Sequence, residues 1–166
     1  MRLHSLGHVV SKVRSSERPV PLNREILGLK QVGHYGEKVV FFSIVDNHHG
    51  VGLLETDNSA ICSPKETPGL HHVAFNVGDS LEELKEAKDR LLNKGVEPDR
   101  ARDHVATQSV DFFDPDGNQI DLFVEGNPKF WHEYPSAIND SKFLELRACA
   151  GKNKKWPFLD QHGKVT

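Results

Sequence analysis

Hydrophobic positions along this chain recur with two periods. Leu6–Val13 (LGHVVSKV), Lys38–Val45 (KVVFFSIV), Val51–Glu55, Leu70–Val77 (LHHVAFNV), Ser109–Phe113 and Gln119–Val124 are short runs rich in β-branched and aromatic residues. Such runs read as half-buried strands. Leu81–Lys94 differs, because Leu81, Leu84, Ala87, Leu91 and Leu92 fall at helical spacing and make one apolar stripe. Ser80 and Glu83 form a capping-box pattern before it, and Gly95 supplies the stop. A further helix is predicted over Ser15–Leu27, ending at Gly28, with Pro19 and Pro21 delaying its start. Short strands are expected at Leu29–Val32 and Val96–Ala101. Asn58–Gly69, with Pro64 and Pro68, reads as a linker, and DPDGN at Asp114–Asn118 as a turn. Strand–helix–strand–strand–strand is therefore expected twice.

A sequence echo supports the duplication. His8-Val9 with Val13 matches His72-Val73 with Val77 at a constant offset, 72 − 8 = 77 − 13 = 64. The modules are taken as residues 1–57 and 69–125 of one domain over 1–125, and residues 126–166 as a C-terminal extension. The extension carries Trp131 and Trp156, and Phe143, Leu144 and Leu146 suggest a short helix in it.

Alternation along a strand sends neighbouring side chains to opposite faces. Val9 and Val13 share a face that His8 avoids. Val73, Phe75 and Val77 share one that His72 avoids, and Ile120, Leu122 and Val124 one that Gln119, Asp121 and Glu125 avoid. By the same rule His71 points to the apolar side as a structural residue. Helices can cover the apolar faces, but the other faces collect two imidazoles and a carboxylate, which are costly to bury without partners. A common cavity inside one curved sheet relieves that cost. His8, His72 and Asp121 together have the composition of the two-histidine, one-carboxylate triad that holds non-haem iron(II) with coordination positions to spare.

Composition narrows the class. The chain has 166 residues, 37% hydrophobic and 27% charged, enough for a core without disulfides or structural metal. A net charge of −3, from 21 basic and 24 acidic residues, argues against nucleic acid as a partner. No apolar run is long enough to span a membrane, and Met1-Arg2-Leu3-His4 does not begin a signal peptide. With Cys62 and Cys149 the only cysteines, a reduced cytoplasmic protein is expected. Ten histidines are many for this length, and histidine is the commonest metal ligand.

With LGHVV near the start, PGLHHVAFNV opening the second module and FFDPDGNQIDLF closing it, the chain resembles the vicinal oxygen chelate superfamily (glyoxalases, bleomycin-resistance proteins and extradiol dioxygenases) over roughly residues 3–125. The resemblance implies an α+β fold of two paired βαβββ modules curling around a metal cavity. It is nearest to the extradiol ring-cleaving dioxygenases. Their first-strand histidine, the later histidine of their LHHVAF-like segment and the acid beyond their DPDG-type turn match His8, His72 and Asp121. Their oxygen-side histidine matches His49, and their acid–base histidine falls near Arg102 and His104. Departures accompany the match. The acid is aspartate rather than glutamate, with Glu125 further along the same face, and Asp111 stands where those enzymes carry tyrosine. Superfamily isomerases similar to glyoxalase I use a fourth ligand in the last strand of the first module. Pairing Asp46–Leu54 with Asp114–Leu122 places Leu53 there, which cannot ligate, although Glu55 shares its face. That register also turns His49 inward.

The resemblance thus implies an Fe(II)-dependent extradiol dioxygenase acting with O2 on a catechol-like small molecule, with His49 and His104 in catalysis and a homodimer as the expected assembly. Two other readings stay open. One is a glyoxalase-type lyase or isomerase using manganese, zinc or nickel, and the other is a metal-free binding protein.

Overall fold

The computed structural model describes residues 1–62, 64, 66–104, 106–126, 142–144 and 146. Its described residues divide into two compact units. One holds Met1–Thr67 together with Pro115–Gly117, and the other holds the remaining described residues between 68 and 146.

In the first unit, strands β1 (Val9–Val13), β2 (Lys30–Tyr35), β3 (Val39–Ser43) and β4 (Val51–Glu55) form a sheet in the order β1-β4-β3-β2. Strand β1 runs parallel to β4, while β3 is antiparallel to both β4 and β2. The expected helix over Ser15–Leu27 is much shorter, a π-helical segment at Leu22–Ile26. Pro19 and Pro21 lack the amide hydrogens that would extend it toward Ser15. Its Leu22 and Ile26 are buried, as are Val13, Val40, Phe42, Val51 and Leu53 of the strands. The buried Asn23 amide donates to the Pro19 carbonyl at 2.8 Å, so its burial leaves no unmet donor there.

The second unit repeats the plan. Strands β5 (His72–Gly78), β6 (Arg100–Asp103), β7 (Thr107–Phe113) and β8 (Gln119–Glu125), with the two-residue β9 (Lys142–Phe143), pair in the order β5-β8-β7-β6-β9. Strand β5 is parallel to β8, and the other pairs are antiparallel. Lys142 and Phe143 extend the sheet, so the short helix expected around Phe143 is not formed. The rest of the extension, Trp131 and Trp156 included, lies outside the described residues.

Helix α1 (Leu81–Asn93) packs on β5, β7 and β8. Its capping box is complete, with the Ser80 hydroxyl accepting from the Glu83 amide and the Glu83 carboxylate accepting from the Ser80 amide. Gly95 follows at φ +76°, a left-handed conformation that favours glycine. Leu84 and Leu91 of the stripe are fully buried, together with Val110, Phe112, Leu122 and Val124 of the sheet. The predicted alternation on β8 is observed: Ile120, Leu122 and Val124 are buried, and Gln119, Asp121, Phe123 and Glu125 are less so. Among the described residues no helix is long and apolar enough to cross a membrane.

Candidate metal centre

The second sheet walls a cavity of about 620 Å³. Alternation decides what it presents. Strand β5 contributes His72 and Ala74, β8 contributes Gln119, Asp121 and Phe123, and β7 contributes Thr107, Ser109 and Asp111. Arg100 and Arg102 of β6, His104 just beyond it and His71 just before β5 complete the wall. Three site residues expected from the sequence, His72, Asp121 and His104, are therefore on one wall. The register explains the first two: Ala74 is the partner of Asp121 across the parallel pair, and His72 is two residues before Ala74 on the same face.

His71 departs from expectation. It precedes the first residue of β5, so strand alternation does not govern it. It is exposed and lines the cavity beside His72, with the two Nδ1 atoms 2.8 Å apart. Glu125 does not line the cavity, although it shares a strand face with Asp121.

Asp121 is the most perturbed group on this wall. Burial, and then the charge of Asp111 directly across the β7–β8 ladder, push its carboxyl up to about 7, while a hydrogen bond from Ser109 opposes the rise. Its Oδ1 is buried and has no hydrogen-bond partner among the described residues. Asp111 itself is buried, with Arg100 Nε 3.6 Å from its Oδ2 and 2.9 Å from Asp99 Oδ2.

His8 and His49 fall together in the first unit. Val9 accompanies Val51 in the parallel pair, and the Val9 amide donates to the Gly50 carbonyl at 3.0 Å. The rings of His8 and His49 are consequently 4.6 Å apart at their centroids, and Phe41 lies 4.8 Å from His49. The turn before β4 sets this placement. Asn47 Oδ1 accepts from the Ile44 amide, Ser43 Oγ donates to the Asn47 carbonyl, and the Gly50 amide donates to the Phe42 carbonyl. Partial desolvation, with the neighbouring imidazoles of His48 and His8, holds His49 below the usual imidazole range. Among the described residues no three His, Cys, Asp or Glu side chains are gathered as a metal site.

Residues 5–122 match the family model described as the Glyoxalase/Bleomycin resistance protein/Dioxygenase superfamily. The chain belongs to this superfamily. It is 31% identical over 94 residues to biphenyl-2,3-diol 1,2-dioxygenase 2 of Rhodococcus globerulus, covering 57% of this chain and 49% of that protein. It is 30% identical over 126 residues to biphenyl-2,3-diol 1,2-dioxygenase 3 of the same organism, covering 72% and 63%. The chain thus spans less than two thirds of the length of either relative. A glyoxylase/bleomycin resistance protein/dioxygenase domain from Frankia sp. EAN1pec shares the fold, with a TM-score of 0.62 and 23% identity over 75% of this chain and 99% of that one.

Within this superfamily fold, the register of the two parallel pairs corrects the sequence comparison of the modules. Val10 pairs with Gly52, and Ala74, 64 residues after Val10, pairs with Asp121. The first-module counterpart of Asp121 is therefore Gly52, not Leu53. Leu53 is buried on the core face, as Leu122 is in the second module. The expected inward alternation of His49 with Leu53 fails for the same reason, and His49 owes its position to the turn. A side chain is not merely absent at Gly52: a Cβ there would stand 3.1 Å from Val10 Cγ2 and 3.3 Å from Phe41. Glu55 Oε2 accepts from the Ser16 amide at 3.0 Å and the Ser16 hydroxyl at 3.1 Å. Sequence reasoning missed His71 and the Asp111–Asp121 opposition. The inward position of Asp111 follows once β7 and β8 are paired through the DPDG turn.

Proposed function

We propose that this chain is an extradiol dioxygenase, which uses O2 to open a catechol-like ring beside its two hydroxyls, and that His8, His72 and Asp121 hold Fe(II). The observation that carries the reading is Asp121 Oδ1, a buried carboxylate oxygen without a partner among the described residues, on the wall that also presents His72. Such an atom is costly unless a cation or donor meets it. Imidazole with carboxylate is a donor set suited to Fe(II), and also to manganese, zinc or nickel. The part of His8 rests on its match to the family's first-strand histidine, and the dioxygenase names of both Rhodococcus relatives favour Fe(II).

When bound, ferrous ion would act as a Lewis acid toward the diol oxygens and exchange electrons with O2. The protein's own groups do the rest. Ser109 donates to Asp121 and so orients its carboxylate. His104, on the same wall, is placed to take a hydroxyl proton from the diol and return it to product. His49 is assigned to steady reduced oxygen by hydrogen bonding, in keeping with its family match.

The glyoxalase-type reading is less favoured, because Gly52 offers no fourth ligand and Glu55 is held by Ser16. Protein purified without oxygen should retain iron and consume O2 with a catechol, giving a product heavier by one O2. Zinc, nickel or manganese without O2 uptake would replace this reading by the lyase. Failure to bind any divalent metal would leave a binding protein.

A further inference from the structure

Two apolar residues flank Asp121 in the second unit's cavity. Most residues lining this cavity carry a polar group, yet more of its surface is apolar than polar, and Ala74 and Phe123 have no polar side-chain atom at all. Register sets both beside the carboxylate. Ala74 is the partner of Asp121 across the parallel β5–β8 pair, about 4.8 Å away at one strand spacing. Phe123 is two residues further along β8 on the same face, about 6.7 Å from Asp121. Glu125, the next residue on that face, does not line the cavity. On β8 the cavity therefore ends at Phe123.

The two residues offer a ligand different things. At Ala74 a methyl group keeps the floor of the cavity low beside the carboxylate, and at Phe123 a half-buried phenyl ring stands at its end. Among the described residues no aromatic ring packs against Phe123. Aromatic rings attract one another, offset or edge to face, at centroid separations of about 4.5–7 Å. A ring whose oxygens are held beside Asp121 meets Phe123 within that range. A substituent on the ring then lies against carbon. Burying one methyl group there strengthens binding roughly threefold to fourfold, whereas a charged substituent loses its water against the same carbon.

We propose that Ala74 and Phe123 form the slot for the substrate's ring, and that Phe123 selects aromatic diols carrying an uncharged, apolar ring substituent. The diol end of this assignment rests on the dioxygenase reading, whereas the slot is measured apart from turnover. The full chain, loaded with Fe(II) under anaerobic conditions, is titrated calorimetrically with catechol, 3-methylcatechol, 4-methylcatechol and 3,4-dihydroxybenzoate. The better of the two methylcatechols should bind about threefold more tightly than catechol, and the acid more weakly than that methylcatechol. Phe123→Ala should weaken the same methylcatechol on the order of tenfold and abolish its advantage over catechol, while Phe123→Leu, which stays apolar, loses less. Ala74→Val, which raises the floor, should weaken all three neutral diols. No advantage of either methylcatechol, binding of the acid at least as tight as the better methylcatechol, or an advantage that survives Phe123→Ala each overturns the proposal. The four-ligand comparison needs no variant, so it decides the substituent preference even where Phe123→Ala does not fold. p-Cresol, which has the ring and methyl group but no vicinal diol, separates the two readings. Magnetisation transfer to p-cresol from the metal-free wild type, lost in Phe123→Ala, with no oxygen uptake on any diol removes the dioxygenase reading and leaves the slot. Oxygen uptake without the substituent preference does the reverse.

Discussion

Asp121 shows how one side chain can mark a site. A carboxyl pushed up to about 7 gives up its proton only near neutrality, unless a cation is bound beside it. Proton and metal therefore compete at this group. Metal affinity in the wild-type chain should fall steeply as pH drops from 8 to 6, and Asp121→Asn should bind weakly at both values. Equilibrium dialysis against Fe(II) or Mn(II) checks this, and a flat wild-type profile would remove Asp121 from the ligand set. The two adjacent histidines should separate as well. His72→Ala should abolish metal retention. His71→Ala, at an exposed position outside the strand, should change stability by no more than about 0.5 kcal/mol. Glu125→Ala should retain metal, since Glu125 does not line the cavity. The placement of His72 and Asp121 on one wall could be read from the sequence because each belongs to a strand with regular alternation. His71 could not, because one residue decides whether the strand rule applies to it.

Elements were legible in proportion to the length and regularity of their pattern. Helix α1 announces itself through its stripe, its capping box and Gly95, and it forms at Leu81–Asn93. Ser80→Ala should lower stability by about 1 kcal/mol, while Ser80→Asp, which keeps an oxygen acceptor, should cost less. Urea unfolding followed by circular dichroism reads the difference, and equal losses would assign Ser80 a role other than capping. The Ser15–Leu27 segment has apolar residues at usable spacing, but its prolines cut the helix to its last turn. Strand β6 begins at Arg100 rather than Val96. Val96 is buried with its amide donating to the Leu91 carbonyl, so it ends the helix instead of starting a strand. The register between modules was the subtlest loss. Turns of unequal length precede β4 and β8, and the one-residue offset between Leu53 and Gly52 was invisible until the parallel pairs fixed it.

At the scale of the whole molecule, contacts distant in sequence fix the DPDG turn. Asp116 Oδ1 accepts from Arg14 Nε at 2.6 Å, 102 residues away, and from Arg18 Nη1 at 3.1 Å, and both guanidiniums also donate to the Pro115 carbonyl. The Asp116 side chain is 5% exposed. Removing it would leave two half-buried cations facing each other, so Asp116→Ala should cost about 3 kcal/mol, the lower end for a buried pair. Arg14→Ala should cost less, since Arg18 still answers the carboxylate. Sequence could supply the turn from its composition, but nothing in it named the arginines that hold the turn.

Global stability offers a further test of the cavity, through linkage to Asp121. The folded metal-free protein holds a proton there up to about pH 7, whereas the unfolded chain releases it near 3.8. Between those values the folded state binds more protons, so this group's contribution is complete below the lower value and is lost as pH rises through the upper one. Metal-free protein should therefore lose stability between pH 5 and pH 8 relative to Asp121→Asn, whose amide does not titrate. The difference between the two Tm profiles isolates Asp121 from every other titrating group. Adding metal at pH 8 should restore the wild type, because a ligand bound only by the folded state stabilises it by mass action, and should leave Asp121→Asn where it was. Parallel Tm profiles for the two proteins, or equal stabilisation of both by metal, would mean that the buried oxygen of Asp121 is satisfied by something other than a cation.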